Sequence, residues 1–173
     1  QVLEQAKQQG LVGEKFDTLS QQLSSEDDRT SPSQSELNSL LEHYQNGRFS
    51  DAERLALSIT KRFPKHAFGW KVLAEVLRQK GRISEALMPG QKAAELDPQD
   101  SEVHSNLGIT LYHSGKLEEA EASYKKAIEL KSKYVEAHSN LSVIQQELGK
   151  LEEAEASCRK AIALKPDFAE AHG

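Results

Sequence analysis

Three histidines recur at a regular spacing and are the first side chains in this sequence that could do chemistry. His104, His138 and His172 lie 34 residues apart. Imidazole nitrogens bind zinc at about 2.1 Å, but all the ligands must converge on one ion. If residues 34 apart lie on successive packed helices, their side chains are separated by a helix-packing distance of roughly 10 Å. We therefore interpret these histidines as packing residues and predict no metal site.

Cysteine and glutamate side chains are the remaining candidates for catalysis. Cys158 lies 34 residues after Tyr124, the same interval that separates the histidines. We therefore expect it to be a buried small hydrophobic side chain and not a nucleophile. Adjacent glutamates occur twice, as Glu118 with Glu119 and Glu152 with Glu153. Adjacent residues point to different sides of a helix, which suits a solvated first turn and not an acid–base pair. Glycine-rich phosphate loops, zinc motifs and a nucleophile elbow are absent from the sequence, so we predict neither enzymatic activity nor a cofactor.

A long internal repeat predicts the elements that carry these residues. The segment HSNLGITLYHSGKLEEAEASYKKAIELK (His104 to Lys131) recurs 34 residues later as HSNLSVIQQELGKLEEAEASCRKAIALK (His138 to Lys165). In each copy the apolar residues form two groups at three-and-four spacing, which predicts two helices. The glycine between them, such as Gly115, can end the first helix in the left-handed conformation. Units of this kind bury their apolar faces only by stacking, so the repeat predicts an all-α solenoid.

Particular residue types at particular repeat positions resemble the tetratricopeptide repeat (TPR) family. Positions are counted from Ser33, Ala67, Ser101 and Val135, which gives four repeats at residues 33–66, 67–100, 101–134 and 135–168. The family pattern asks for an aromatic at position 4, Leu at 7, Ala at 20, an aromatic at 24, Ala at 27 and Pro at 32. Matching residues are Trp70, Leu73, Ala86, Ala93, Pro98, Leu107, Ala120, Tyr124, Ala127, Leu141, Ala154, Ala161 and Pro166. The resemblance implies a right-handed α-solenoid (α-α superhelix), with the degenerate first repeat as a cap.

The two ends of the chain fall outside the four repeats. Residues 1–32 contain two segments that could form short helices, Gln1 to Gln9 and Glu14 to Leu23, followed by an acidic linker. Order is expected to begin near Ser33 or Gln34; alternatively, the apolar residues of this region pack on the solenoid or on a partner. Residues 169–173 match the start of a fifth repeat. We expect the exposed last helix to allow end-to-end self-association.

Composition excludes several classes of partner. The net charge is −5, and no basic stripe is present that could follow a nucleic-acid backbone. The apolar runs are too short to span a membrane, so we expect no membrane partner. A single cysteine favours a reducing compartment, which suggests a cytoplasmic protein.

Asparagines at repeat position 6 are the strongest candidates for binding. This position holds Asn38, Val72, Asn106 and Asn140. A side-chain amide can bond both polar groups of a peptide unit, and repeats about 10 Å apart match every third residue of an extended peptide. The pattern resembles the asparagine ladder of O-linked N-acetylglucosamine transferases, which implies a peptide-binding concave face.

Lys71 is a further candidate on this face, because it is at position 5, where TPR proteins that read chaperone tails place a carboxylate-binding lysine. The rest of that clamp is missing. Glu75, Glu102 and Glu136 stand at positions that would face the ligand's carboxylate and repel it.

The second helix of the second repeat contains residues that disfavour a helix. Pro89 and Gly90 lie in its predicted interior, where proline costs about 3 kcal/mol and glycine about 1 kcal/mol. We predict a kink or an early end near Glu85 to Pro89, and the fastest hydrogen exchange among the second helices.

Together these patterns predict a protein-interaction module that binds a protein or an extended peptide. Two alternatives remain at this point: a substrate-presenting arm of a multidomain transferase, and a passive assembly scaffold. TPR repeats that precede a glycosyltransferase domain would favour the first alternative, and a concave face that binds nothing would favour the second.

Overall fold

The computed structural model describes residues 30–165. The chain divides into two compact units, residues 1–33 and residues 34–173, and all the described helices belong to the second unit. The two short helices predicted before Ser24 and the fifth-repeat start at residues 169–173 lie outside the described residues. So does His172.

Eight helices make up the described part of the chain, so the predicted all-α solenoid is confirmed. They are α1 Gln34–Gln45, α2 Phe49–Arg62, α3 Ala67–Gln79, α4 Ile83–Leu96, α5 Ser101–His113, α6 Leu117–Leu130, α7 Val135–Glu147 and α8 Leu151–Ala163. Each repeat supplies one antiparallel pair, and each helix packs against the next along the chain. Within residues 30–165 we find no helix long and apolar enough to cross a membrane.

The turn inside each repeat depends on glycine, as the sequence predicts. Gly47, Gly81, Gly115 and Gly149 have φ values of 68°, 73°, 74° and 74°. This left-handed conformation costs glycine little but strains a residue with a Cβ atom. A glycine after each first helix therefore reverses the chain within a few residues.

Alanines on the second helices let the paired helices approach closely. Ala52, Ala86 and Ala120 at position 20 and Ala127 at position 27 are fully buried, and Ala93 at position 27 is 1% exposed. The buried apolar residues form two clusters, and most of these alanines belong to one or the other. One extends from Leu40 to Ala86 in the first two repeats, and the other from Leu107 to Ile144 in the last two.

Helix α4 is longer than its sequence predicts. It is continuous from Ile83 to Leu96 with Pro89 inside it, so the predicted early end near Glu85 to Pro89 is wrong. Ala86, Pro89, Gly90 and Ala93 are all buried between neighbouring helices. Tertiary packing offsets the low helix propensity, which is a weak preference that burial commonly overrides. The faster hydrogen exchange of this helix stays a prediction.

Candidate binding groove

The first helices of the four repeats line a groove with two recesses. The first recess has a volume of about 420 Å³ and is lined by Leu41, Tyr44, Phe68, Lys71, Val72, Glu75, Arg78, Glu102 and Asn106. The second recess has a volume of about 730 Å³ and is lined by residues of α5, α7 and α8, among them Asn106, Ile109, Asn140 and Ile162. Asn106 lines both recesses, and we treat them together as one candidate groove.

The first recess is rich in charge, but its charges are already paired. The Lys71 ammonium donates to Asp100 Oδ2 at 2.8 Å and to Glu102 Oε2 at 2.6 Å. Asp100 also caps α5, because its other oxygen accepts from the Glu102 backbone N–H at 2.8 Å. Arg78 Nε donates to Glu75 Oε2 at 3.1 Å. The cations are therefore occupied by the protein's own carboxylates.

The pKa values of Lys71 and Glu75 are shifted in the directions that keep both side chains charged. Burial alone would lower the pKa of Lys71, but hydrogen bonds to Asp100 and Glu102 outweigh burial and raise it. Burial would likewise raise the pKa of Glu75, yet donors that include Arg78 and Tyr44 hold it below its ordinary value. Both side chains therefore stay charged at neutral pH. Lys71 lines the first recess, but it is neutralised there by Asp100 and Glu102, and its role in binding stays a prediction.

The predicted asparagines differ in their surroundings. Asn38 is exposed, its Oδ1 accepts from Gln34 Nε2 at 2.9 Å, and it lines neither recess. Asn106 and Asn140 are half-buried, and both line the second recess. Burial, the largest effect, raises the pKa of the neighbouring Tyr124 phenol, and the Asn140 side chain acts against this rise. The structure thus brings two of the three asparagines together in one recess.

The regularly spaced histidines have a structural role. His104 Nε2 lies 3.0 Å from the Pro98 carbonyl oxygen, and His138 Nε2 lies 3.0 Å from that of Ser132. A carbonyl oxygen only accepts, so each Nε2 carries the proton. Trp70 Nε1 donates to the Pro64 carbonyl in the same way, at 2.9 Å.

Each of these side chains bonds a carbonyl six residues earlier and thereby holds the loop between two repeats. His104 and His138 therefore hold inter-repeat loops in place. No group of three His, Cys, Asp or Glu side chains suited to a metal ion occurs within residues 30–165.

Cys158 does not behave as its repeat position predicts, because it is exposed. Tyr124 has the same position in the third repeat, where α7 of the following repeat packs beside its helix, and it is 2% exposed. Within the described residues no helix follows α8, so Cys158 lines the second recess instead. Two apolar side chains of α8, Leu151 and Ile162, are each 66% exposed. Self-association through α8 stays a prediction.

Tyr44 and Ile109 are groove residues that were not singled out from the sequence. They lie at repeat positions 12 and 9 of the first helices. Tyr44 donates its hydroxyl to Glu75 Oε1 at 3.2 Å. The signal for these residues was their repeat position, and residue type alone did not identify them.

Comparison with known proteins gives several matches. Models of the tetratricopeptide repeat match residues 38–101, 90–122, 110–149 and 135–168. The crystal structure of MamA protein aligns with a TM-score of 0.72 at 22% identity, over 79% of this chain and 74% of that chain. MamA from Desulfovibrio magneticus RS-1 aligns with a TM-score of 0.70 at 18% identity, over 76% of this chain and 74% of that chain.

YrrB, described as a TPR protein with an unusual peptide-binding site, aligns with a TM-score of 0.67 at 23% identity, over 72% of this chain and 64% of that chain. The TM-scores show a shared fold, and at these low identities the likeness extends no further than the fold. No curated protein sequence matches the chain. The family models, together with the four stacked helix pairs, show that the chain belongs to the tetratricopeptide repeat family.

Proposed function

We propose that this protein is an interaction module that binds an extended peptide or protein segment in its concave groove. The observation that carries the proposal is the second recess, in which two side-chain amides stand beside apolar surface. Asn106 and Asn140 lie one repeat apart, roughly the rise of three residues of an extended chain. Ile109 and Ile162 supply apolar contact in the same recess.

The chemistry of the two recesses supports a main-chain grip in the second one. An asparagine amide has both a donor and an acceptor, so it can bond a peptide unit whatever the side chain. In the first recess the carboxylates already occupy the cations. Binding there depends on shape and on apolar contact, with YrrB as a structural precedent for a TPR protein that has a peptide-binding site.

The test is a peptide selection followed by affinity measurements on the full 173-residue chain. A displayed library of random 12-residue peptides is selected on the wild type, and the best binder is titrated by fluorescence anisotropy. The double variant Asn106→Ala/Asn140→Ala should bind about 10- to 100-fold more weakly, since each lost hydrogen bond is worth about 0.5–1.5 kcal/mol.

Asn38→Ala is the matched control, because this asparagine has the same repeat position but lines neither recess. Circular dichroism and melting curves establish that all variants fold. Equal losses in the control and in the double variant would contradict the proposal. Failure to select any peptide would contradict it as well.

A further inference from the structure

The junction between the second and third repeats lacks a side chain that the next junction has. At repeat position 24 the third repeat has Tyr124, which is 2% exposed and packs against Gly108 of the same repeat. The second repeat has Gly90 at this position. A cavity is present there, and it is lined by Lys71, Ala74, Glu75, Arg78, Gly90, Ala93, Val103, Asn106, Leu107 and Thr110. We call it the Gly90 slot.

The Gly90 slot opens on the first recess of the groove. Lys71, Glu75, Arg78 and Asn106 line both the slot and the first recess. Its inner walls are the apolar side chains of Ala74, Ala93, Val103 and Leu107. A segment bound in the groove therefore passes the mouth of an apolar hole.

The size of the slot decides what can enter it. Its volume is about 10 Å³, which is about the least that a single water molecule requires. A Cβ atom placed on Gly90 would lie 3.4 Å from Leu107 Cδ1 and 3.9 Å from Ala74 Cβ, which are ordinary contacts. An aromatic ring is too large for this space. An apolar cavity of this kind also gives water few hydrogen-bond partners.

The charge around the mouth adds a second criterion. Three carboxylates, Glu75, Asp100 and Glu102, face two cations, Lys71 and Arg78. The excess is one negative charge, so the mouth disfavours acidic residues in the bound segment and favours neutral or basic ones.

We infer that the Gly90 slot is a specificity subsite for one branched aliphatic side chain (Val, Ile or Leu) of a bound peptide, flanked by neutral or basic residues. One terminal methyl group enters the slot, and the rest of the side chain packs in the first recess. The inference rests on the proposed function, because the segment must first bind in the groove.

The experiment uses the same library of random 12-residue peptides and the full chain. Peptides selected on the wild type should share a Val, Ile or Leu at one position, with few acidic neighbours. Gly90→Ala adds the methyl group that the peptide would otherwise supply, and it should weaken binding by about tenfold or more, the usual cost of a misfitted methyl group. Met88→Ala is the control, since Met88 is on the same helix but 59% exposed.

A double-mutant cycle separates this subsite from a general loss of binding. Replacing the shared aliphatic residue of the peptide by alanine should cost about tenfold on the wild type and little on Gly90→Ala. Because alanine fits the helix better than glycine, Gly90→Ala should fold at least as well as the wild type, so unfolding would not explain its weaker binding.

Three results would overturn the subsite while leaving the proposed function intact. They are groove-dependent peptides without a shared aliphatic residue, peptides with an aromatic residue at the shared position, and equal affinity of Gly90→Ala and wild type. A dimer that Gly90→Ala dissociates in light scattering would show that a second copy occupies the slot instead. If no peptide binds the wild type at all, both the proposed function and the subsite are wrong.

Discussion

At the junction between the second and third repeats, called the open junction, repeat position 24 is Gly90 and a cavity of about 10 Å³ remains. At the junction between the third and fourth repeats, called the packed junction, the buried Tyr124 ring fills this position. The same junction contains an ion pair between the buried Glu121 and Lys150, at 2.6 Å. At the open junction the equivalents of Tyr124 and Glu121 are Gly90 and Leu87.

The open junction is stabilised by other contacts. Lys71 of the second repeat pairs with Asp100 and Glu102 across the boundary with the third repeat, at 2.8 Å and 2.6 Å. The buried core also changes from one cluster to the other at this boundary. Each repeat contacts mainly its neighbours, so one junction of a solenoid can lose its packing residue without loss of the fold. The space that remains at this junction is the Gly90 slot.

The largest expected effect is the loss of the tyrosine from the packed junction. Tyr124→Ala should destabilise the protein by about 3 kcal/mol or more, because it removes a buried aromatic ring and leaves a cavity. Tyr124→Phe should cost about 1 kcal/mol or less, since it removes only the hydroxyl and keeps the buried ring. Urea denaturation measures both. The comparison would fail if Tyr124→Ala cost no more than Tyr112→Ala, at a half-exposed tyrosine of the same repeat.

A glycine-to-alanine substitution should have opposite effects beside the Tyr124 ring, at Gly108, and in the Gly90 slot, at Gly90. At Gly108 a Cβ atom would lie 2.9 Å from the buried Tyr124 ring, so Gly108→Ala should destabilise by about 1–3 kcal/mol. At Gly90 the nearest atom would be 3.4 Å away, and the gain in helix propensity should stabilise by up to about 1 kcal/mol. Thermal and urea denaturation should show these signs. Equal effects would mean that the junctions do not differ in packing.

The smallest effect concerns the ion pair of the packed junction and depends on pH. Burial would raise the pKa of Glu121, but hydrogen bonds from Lys125 and Lys150 outweigh it and lower the pKa below its ordinary value of 4.5. A carboxyl with a lowered pKa in the folded state stabilises the protein above its ordinary pKa, and this stabilisation disappears as the pH falls through the lowered value.

Glu121→Gln should therefore lower the melting temperature by a few degrees at pH 7 and by a smaller amount near pH 3, below the ordinary pKa. Melting curves of the variant and of the wild type at both pH values check this. Glu118→Gln, at an exposed glutamate of the same helix, is the control. A difference between Glu121→Gln and wild type that stayed constant with pH would show that the ion pair is not the cause.

Much of the fold could be predicted because the relevant interactions are local. The apolar spacing, the turn glycines such as Gly115 and the buried alanines such as Ala120 predicted paired helices and close packing, and the structure has both. Helix α4 is the exception, because the cost of Pro89 and Gly90 is local but the burial that offsets it comes from other helices. Cys158 shows the same dependence on other helices. Its repeat position predicts burial, but within residues 30–165 no further helix packs over α8, and Cys158 is exposed.

The candidate site was predicted only in outline. Repeat position 6 pointed to Asn106 and Asn140, and both line the groove. It equally pointed to Asn38, which has the same residue type but lines neither recess. Which carboxylates neutralise Lys71 depends on side chains about 30 residues away, beyond the reach of a local pattern.

The sequence by itself determined the repeat, its period and the helix pairs, because each of these depends on residues within one repeat or at the same position in the next. Only the tertiary structure decided which repeat positions line recesses, which charges are already paired, and that Gly90 leaves room for one methyl group. These properties depend on the distances between side chains of different repeats. Such distances follow from how the helices pack, and a list of residue types does not contain them.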